Sequence, residues 1–399
     1  MVINNIKEKS KTINFVFMGF VNAPNGAATF FKTIINNKDL LVSGSSNAKF
    51  YCQPIGLDLS TLTDTGLEHK KSSSLRVKLQ KWTHSSYIFA VIGFYMLAIR
   101  HGIKVVDNIK NINGDNQWVF NDLVVAYFFL KKHPDEKNLT LILHNNGDPT
   151  KMFYETFTKL GRGLTKRYIE NKAKEVIVKM DNIITLANDA KITLVNKYPD
   201  ISNLAEKCIV IENGVKSAIV QSDRKDRSKI VGVSVGSISY RKGFDLLIEA
   251  NNKLKGTTNI ELLCIGNIQD EEILKLNNSK TNIRFLGAKT AAQISQFLAN
   301  ADFFILCSRD EGMPISIIEA MQNKLPIFAT DVGAINKMID DKENGVLMNP
   351  SMESISKTLE NIDERKYNFN EMGSLSFSKY NDKFSVEIML EKYKKFLAV

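Results

Sequence analysis

The feature that most constrains the fold is an alternation. Short apolar, β-branched runs are separated by stretches with helical spacing along the whole chain. In the first half the runs include INFVFMGFV (13–21), LTLILHN (139–145) and NIITLAN (182–188). In the second half they include KIVGVSVG (229–236), IELLCIG (260–266), IRFLG (283–287), ADFFILCS (301–308) and LPIFATD (325–331). Strands alternating with helices predict parallel sheets joined by crossover helices. Most runs end in Gly, Asn, Ser or Asp, where a chain leaves a strand for a loop. Open α/β sheets bind ligands at those carboxyl ends. At 399 residues the chain predicts two domains rather than one core.

Composition narrows the class. With 44% hydrophobic and 24% charged residues and only 8 prolines, nothing points to disorder. Cys52, Cys208, Cys264 and Cys307 lie far apart with no C-x-x-C pair, so they predict neither a disulfide framework nor a zinc site, and a reducing cytosol is the expected setting. The N-terminal KEKSKTINFVFMGFV reads as a first β-strand rather than an export signal, because Asn14 interrupts its apolar run. The run YIFAVIGFYMLAI (87–99) is short for a bilayer and reads as a buried helix, so no transmembrane span is expected. Residues 1–200 carry 27 Lys and Arg against 17 Asp and Glu, whereas 201–399 carry 26 of each. The whole net charge of +10 therefore sits in the first half. That half is expected to face something anionic: a membrane surface, a pyrophosphate-linked acceptor or nucleic acid.

EGMPISIIEAM (311–321) places two glutamates eight positions apart in a segment otherwise suited to burial. Buried carboxylates are costly unless paired, hydrogen-bonded or needed by a ligand. Pro314 predicts the first residue of a helix running through Gln322, with Glu311 in the loop before it and Glu319 inside it. The first-turn N–H groups of Ile315, Ser316 and Ile317 would then form an anion site. Carboxylates on either side of such a site suit the vicinal hydroxyls of a ribose or hexose. The alternatives are a surface glutamate near a helix start for Glu311 and a solvated glutamate within the helix for Glu319. VSVGSISYRKGFDLLIEA (233–250) reads as strand, glycine-containing loop and helix, with Arg241, Lys242 and Gly243 adjacent. Two cations at a strand's carboxyl end suit a diphosphate clamp, although Arg-Lys in a polar loop is more often merely solvated.

Taken together, these segments resemble the retaining glycosyltransferases of family 4, which have the GT-B fold. The resemblance covers residues 208–349 strongly and the N-terminal half weakly. It rests on IENGV (211–215), VG-x-x-x-x-x-KG (235–243), IRFLG (283–287), AD-x-F-x-L-x-S-R-x-EG (301–312), the E-x7-E pair Glu311 and Glu319, and DVGAINKMI followed by ENGVL. It implies an α/β protein of two Rossmann-like domains with mostly parallel sheets facing a central cleft. Residues 1–205, joined by a final helix over 384–399, would bind the acceptor; residues 206–383 would bind the donor. The tail's apolar residues at 386, 389, 390, 393, 396 and 397 supply the helical stripe for that return.

The resemblance also implies roles. Glu319 would hold the nucleotide ribose, and Glu311 would lie near the transferred sugar's hydroxyls. Gly312, Met313, Pro314, Ile315 and Ser316 would offer backbone groups to the diphosphate and sugar. Lys242 matches the phosphate-binding lysine, and Gly236 and Gly287 belong to the donor-binding motifs. Ser237 stands where the family has an arginine, so Arg241 is expected to compensate. Cys307 and Asn336 are smaller departures. In the first half, VNAPNGAATFF (21–31) resembles the family's glycine-rich loop, with Asn25 and Gly26 toward acceptor or phosphate. His144 matches a histidine beside the donor sugar; its alternative is a loop or capping histidine. Asp122 reads as a helix N-cap.

The implied reaction is retaining hexosyl transfer from a nucleoside diphosphate sugar, UDP favoured, to a glycan or lipid-linked acceptor. No metal and no cofactor are expected: there is no D-x-D motif, and the helix end, Lys242 and Arg241 would meet the diphosphate charge. The resemblance implies Glu311, His144, Lys242 and Arg241 as the catalytic group, and front-face displacement as the course of the reaction. HKKSSSLRVKLQKW (69–82) and LGRGLTKRY (160–168) concentrate the basic excess and predict peripheral contact with the inner face of the cell membrane from a cytoplasmic location. Their alternative is an ordinary surface helix. A sugar-nucleotide epimerase or phosphorylase is the rival enzyme. A basic nucleic-acid-binding protein is the rival of another class, but no recognisable module or aromatic-basic strand pattern supports it, so no nucleic-acid partner is expected.

Overall fold

The computed structural model describes residues 11–397, apart from 22, 24, 43–46, 56–82, 84–85, 111, 113, 218–227, 255–257 and 278–281. The basic segment 69–82 and most of the polar stretch 216–229 lie outside the described residues. The described residues fall into two compact units: one up to Ile211 with the chain's end from Leu390, the other Glu212–Met389.

The first unit is built on a six-stranded sheet in the order β2-β1-β3-β4-β5-β6. Its strands are β1 (Lys11–Phe20), β2 (Asn47–Gln53), β3 (Asp115–Phe120), β4 (Leu139–Leu143), β5 (Asn182–Thr185) and β6 (Cys208–Val210). Every pairing in it is parallel. β6 pairs with β5 through Ile183 and Cys208, which carries this unit past residue 205 to Ile211. Its core joins Trp118, Phe120 and Phe129 to Val176, Ile177 and Leu194. Asp122 caps the helix Leu123–Lys132, accepting from Val125 N at 2.8 Å, and also accepts from Met18 N at 2.9 Å. It thereby ties β1 to the helix after β3. The last helix, Val386–Leu397, carries the tail's stripe, with Tyr393 and Leu397 buried. The Tyr393 ring packs on Phe30 at 5.8 Å.

The second unit holds β7 (Ile230–Val235), β8 (Ile260–Ile265), β9 (Ile283–Gly287), β10 (Phe303–Leu306), β11 (Ile327–Thr330) and β12 (Gly345–Met348). Their order is β12-β11-β10-β7-β8-β9, again all parallel. Winding reverses between β7 and β10, which pair through Gly232–Phe303 and Val233–Phe304. That reversal is the topological switch point of a Rossmann-like sheet, where departing loops diverge and leave a crevice. The strands expected from apolar runs all form. β2, β3, β6 and β12 had no such signal, since β2 and β3 begin with polar residues and β6 has 3 residues.

The run 87–99 departs from its expected burial. It opens a continuous helix, Tyr87–Asp107, with one wider turn at Tyr95–Ile99. Small residues, Ala90, Gly93 and Ala98, face the protein, leaving larger apolar side chains outside. Ile88 is 67% exposed. The reason is packing: a Cβ on Gly93 would meet Thr83 Cγ2 at 2.4 Å, so this face is set for close approach. The sequence reading also stopped the helix too early, for at 21 residues it is long and apolar enough, by length and composition alone, to cross a membrane.

Candidate functional site

Two loops leave the second sheet at its switch point and bind each other. After β7, Gly236 to Gly243 leads into the helix Phe244–Lys253; after β10, Cys307 to Pro314 leads into the helix Ile315–Gln322. Arg309 N donates to Arg241 O at 2.8 Å, and the Arg241 guanidinium donates to Asp310 O at 3.0 Å. Arg309 forms a bidentate pair with Asp245, both bonds at 2.7 Å, and covers the Tyr240 ring at 3.7 Å. Such planar pairing fixes orientation as well as contributing energy. Gly243 is the hinge of the first loop: its φ is +65°, and a Cβ there would lie 1.8 Å from Cys307 O. Only glycine meets both demands.

Within this frame Lys242 and Glu311 meet. Lys242 Nζ donates to Glu311 Oε1 at 2.6 Å, Ser308 Oγ donates to the same oxygen at 2.6 Å, and Arg241 stands 3.9 Å from Oε2. Glu311 is 4% exposed. The resemblance implies separate roles for Lys242, at phosphate, and Glu311, at sugar hydroxyls; the fold adds a direct pairing between the two side chains. A carboxylate this buried is tolerable because a cation and a hydroxyl satisfy it. Ser308 is in turn anchored by Thr330 Oγ1, which donates to Ser308 O at 2.5 Å. Ser308 and Arg309 were legible only as motif letters, because their partners come from other segments.

The helix Ile315–Gln322 begins one residue later than expected. Pro314 has ψ 115° and is the N-cap, so it is extended rather than helical. Ile317 N is also not free, since it bonds to Pro314 O at 3.1 Å. The N–H groups of Ile315 and Ser316 have no hydrogen-bond partner among the described residues, the arrangement a helix start offers to an anion. Ile317, Ile318, Ala320 and Met321 are fully buried and hold the helix on the sheet. Burial of each large one stabilises by roughly 1.5–3 kcal/mol. Met313 is held by Asn213, whose Nδ2 donates to Met313 O at 3.2 Å, and Gly312 O accepts from Ala334 N at 3.0 Å. These two contacts bring the IENGV and DVGAINKMI motifs to one loop.

Glu319 is half-buried, and no hydrogen bond reaches its carboxylate among the described residues. Burial pushes it up to about 7. The carboxylate lies one turn inside the helix without a hydrogen-bond partner among the described residues. Around the rim, Gly236 N donates to Ile265 O at 2.9 Å and Gly266 N to Gly287 O at 3.0 Å, stepping the ends of β7, β8 and β9 together. Ser237 O accepts from Ser239 Oγ at 3.3 Å, a local turn contact that does not replace an arginine.

In the first unit, Asn25 Oδ1 accepts from Ala28 N at 2.9 Å and so caps the helix Gly26–Asn36, whose first residue is Gly26. That cap occupies the Asn25 side-chain oxygen that the sequence reading turned toward acceptor or phosphate. His144 follows β4 and packs on Phe30 at 5.0 Å, and its enclosed Nε2 has no hydrogen-bond partner among the described residues. Burial pushes the imidazole down to about 4, so it is neutral at physiological pH. The loop after it is fixed by Lys197, which donates to Asp148 Oδ1 at 2.5 Å and to Thr150 Oγ1 at 2.7 Å. Among the described residues no group of three His, Cys, Asp or Glu side chains is placed to hold a metal ion.

Comparison with known proteins matches residues 215–372 to the family Glycosyl transferases group 1. An uncharacterized glycosyltransferase of Methanocaldococcus jannaschii is 32% identical over 188 residues, covering 45% of this chain and 52% of that protein. The poly(ribitol-phosphate) alpha-N-acetylglucosaminyltransferase of Staphylococcus aureus is 25% identical over 301 residues, covering 68% of this chain and 58% of that protein. The chain thus spans about half the length of the curated relatives it matches. The crystal structure of Anabaena HepE in complex with UDP and glucose superposes with a TM-score of 0.64 at 16% identity, over 97% of this chain and 99% of that one. Residues 215–372, all within the second unit, are thus similar to the glycosyl transferases group 1 family, and the chain has a GT-B fold of two Rossmann-like domains.

Proposed function

We propose that this protein is a retaining glycosyltransferase that moves a hexose or N-acetylhexosamine from a UDP-sugar to a glycan or lipid-linked acceptor. The observation that carries the reading is the switch-point constellation. The Lys242–Glu311 pair at 2.6 Å lies in the switch-point loops, and the open N–H groups of Ile315 and Ser316 and the unpaired Glu319 lie on the helix that follows, all within the matched region. Cation and helix N-terminus suit a diphosphate, and a carboxylate inside the same helix suits the ribose hydroxyls. The UDP and glucose held by Anabaena HepE favour UDP as the nucleotide. The acceptor named for the Staphylococcus aureus relative, poly(ribitol-phosphate), favours an anionic glycan.

As the sugar–phosphate bond breaks, negative charge grows on the leaving diphosphate. Lys242, Arg241 and the N–H pair stabilise that charge without a divalent ion. A leaving phosphate oxygen takes the acceptor proton on the same face, so configuration is retained. Glu311 holds Lys242 in place and meets the sugar's hydroxyls when the lysine turns to phosphate. Neutral His144 contributes a hydrogen bond rather than a charge. The first unit takes the acceptor, from a cytoplasmic location at the inner face of the membrane.

Incubation with radiolabelled UDP-glucose and UDP-N-acetylglucosamine, with and without a chelator, tests the proposal. A new α-linked product, formed equally in chelator, is expected. An epimerised donor or a sugar phosphate as the product would overturn transfer in favour of an epimerase or phosphorylase.

A further inference from the structure

The helix Tyr87–Asp107 poses a problem of its own. Its inner face is sealed by Ala90, Phe157, Leu160 and Ile169, with Phe94 packed edge-on against Phe153 and Phe157 at 5.5 Å. The opposite face leaves Ile88, Val91, Ile92, Tyr95 and Met96 in solvent. Isolated exposed apolar residues are ordinary, whereas a contiguous run on one helix face marks an interaction surface. The helix start is tied by Tyr87 OH to Thr165, whose neighbour Leu164 is 85% exposed, so the apolar surface continues onto the next element.

Charge identifies the occupant. Residues 150–168 hold five cations, Lys151, Lys159, Arg162, Lys166 and Arg167, against the single acid Glu155. Lys159, Arg162, Lys166 and Arg167 are exposed. Three of them crowd the N-terminus of the helix Gly163–Lys179, which has no acid in its first turn. A macrodipole disfavours cations there, so their presence does not serve the helix. The apolar helix itself has Arg100 and Lys104 and no acid before Asp107.

We infer that this face docks on an anionic bilayer surface, with the helix lying in the plane of the interface. Its outer aliphatic side chains would enter the acyl boundary while the cations meet lipid phosphates. A spanning orientation is disfavoured because one side of the helix is packed on its own protein through Ala90 and Phe94. A second copy is disfavoured because a two-fold contact would set like charge against like. The inference assigns a surface for the peripheral association in the proposed function and rests on none of the sugar-transfer residues.

The test is sedimentation of the full chain with vesicles of phosphatidylcholine alone or mixed with phosphatidylglycerol. Wild type should sediment with the anionic vesicles only. Ile88→Asp/Ile92→Asp and Lys166→Glu/Arg167→Glu should each weaken that by about tenfold or more, given the worth of two buried aliphatic groups or two cations near an anionic leaflet. Both variants should keep wild-type stabilisation by UDP-glucose, which certifies their fold and separates this question from donor binding. A fluorophore on Ile92→Cys should shift to the blue on anionic vesicles. Unchanged sedimentation of either double variant, equal binding to neutral vesicles, or a wild-type dimer dispersed by Ile88→Asp would overturn the inference.

Discussion

Glu319 allows a quantitative test of the donor site. Its carboxylate is half-buried, no hydrogen bond reaches it among the described residues, and burial pushes it up to about 7. Against an ordinary glutamate, that separates the two protonation states by roughly 3 kcal/mol. Because the folded-state value lies above the unfolded one, protonation stabilises the fold. That contribution is complete below about pH 4.5 and is lost as pH rises through about 7. Ribose hydroxyls are held best by the ionised form, so donor binding must displace a proton. Donor affinity should then rise about tenfold between pH 6 and pH 8, with roughly 0.8 proton released per donor at pH 6.5. UDP-glucose is the suitable probe, since its diphosphate diester does not titrate in this range. Calorimetry in two buffers of different ionisation enthalpy reads the proton directly. Glu319→Gln should bind more weakly with a flat profile and release none. Equal slopes and equal proton release in the two proteins would show that Glu319 does not contact the donor.

Three further outcomes follow from the same loops. Lys242→Ala should cost about 1.5–3 kcal/mol in kcat/KM, and it should also destabilise by about 3 kcal/mol because Glu311 is left buried without its cation. Adding Glu311→Gln should restore part of the stability but not the turnover, as denaturant titration and initial rates would show. Gly243→Ala should lower the melting temperature and abolish donor binding, because φ +65° and the contact 1.8 Å from Cys307 O force both loops apart. Arg309→Lys should cost about 1–2 kcal/mol in thermal stability by losing the fork to Asp245 and the Tyr240 face, and a wild-type melting curve would refute that role.

Much of this site was legible because its motifs encode local chemistry. A glycine before a helix, a proline ahead of another and two glutamates around it identify the switch-point loops wherever they fold. Pro314 ahead of the apolar run places Glu319 inside its helix, as the structure has it. What spacing could not give was partnership. Lys242 and Glu311 stand 69 residues apart and read as two independent tools, yet they close into one pair with Ser308. Asn25 reads as a ligand group, and only the fold shows that its side-chain oxygen also caps the helix that follows.

The alternation of apolar runs by itself determined two parallel-sheet units and placed the ligand loops at strand ends, because periodicity and turn residues act locally. Strand order, and hence the meeting of the β7 and β10 loops, was decided only in three dimensions by pairing between distant segments. The helix Tyr87–Asp107 shows the same limit from the other side. Composition gave its hydrophobicity, but only packing decided that Ala90 and Gly93 face inward while Ile88 and Ile92 face out. A side chain's exposure depends on which neighbour fills the space beside it, and that neighbour is chosen by the tertiary fold.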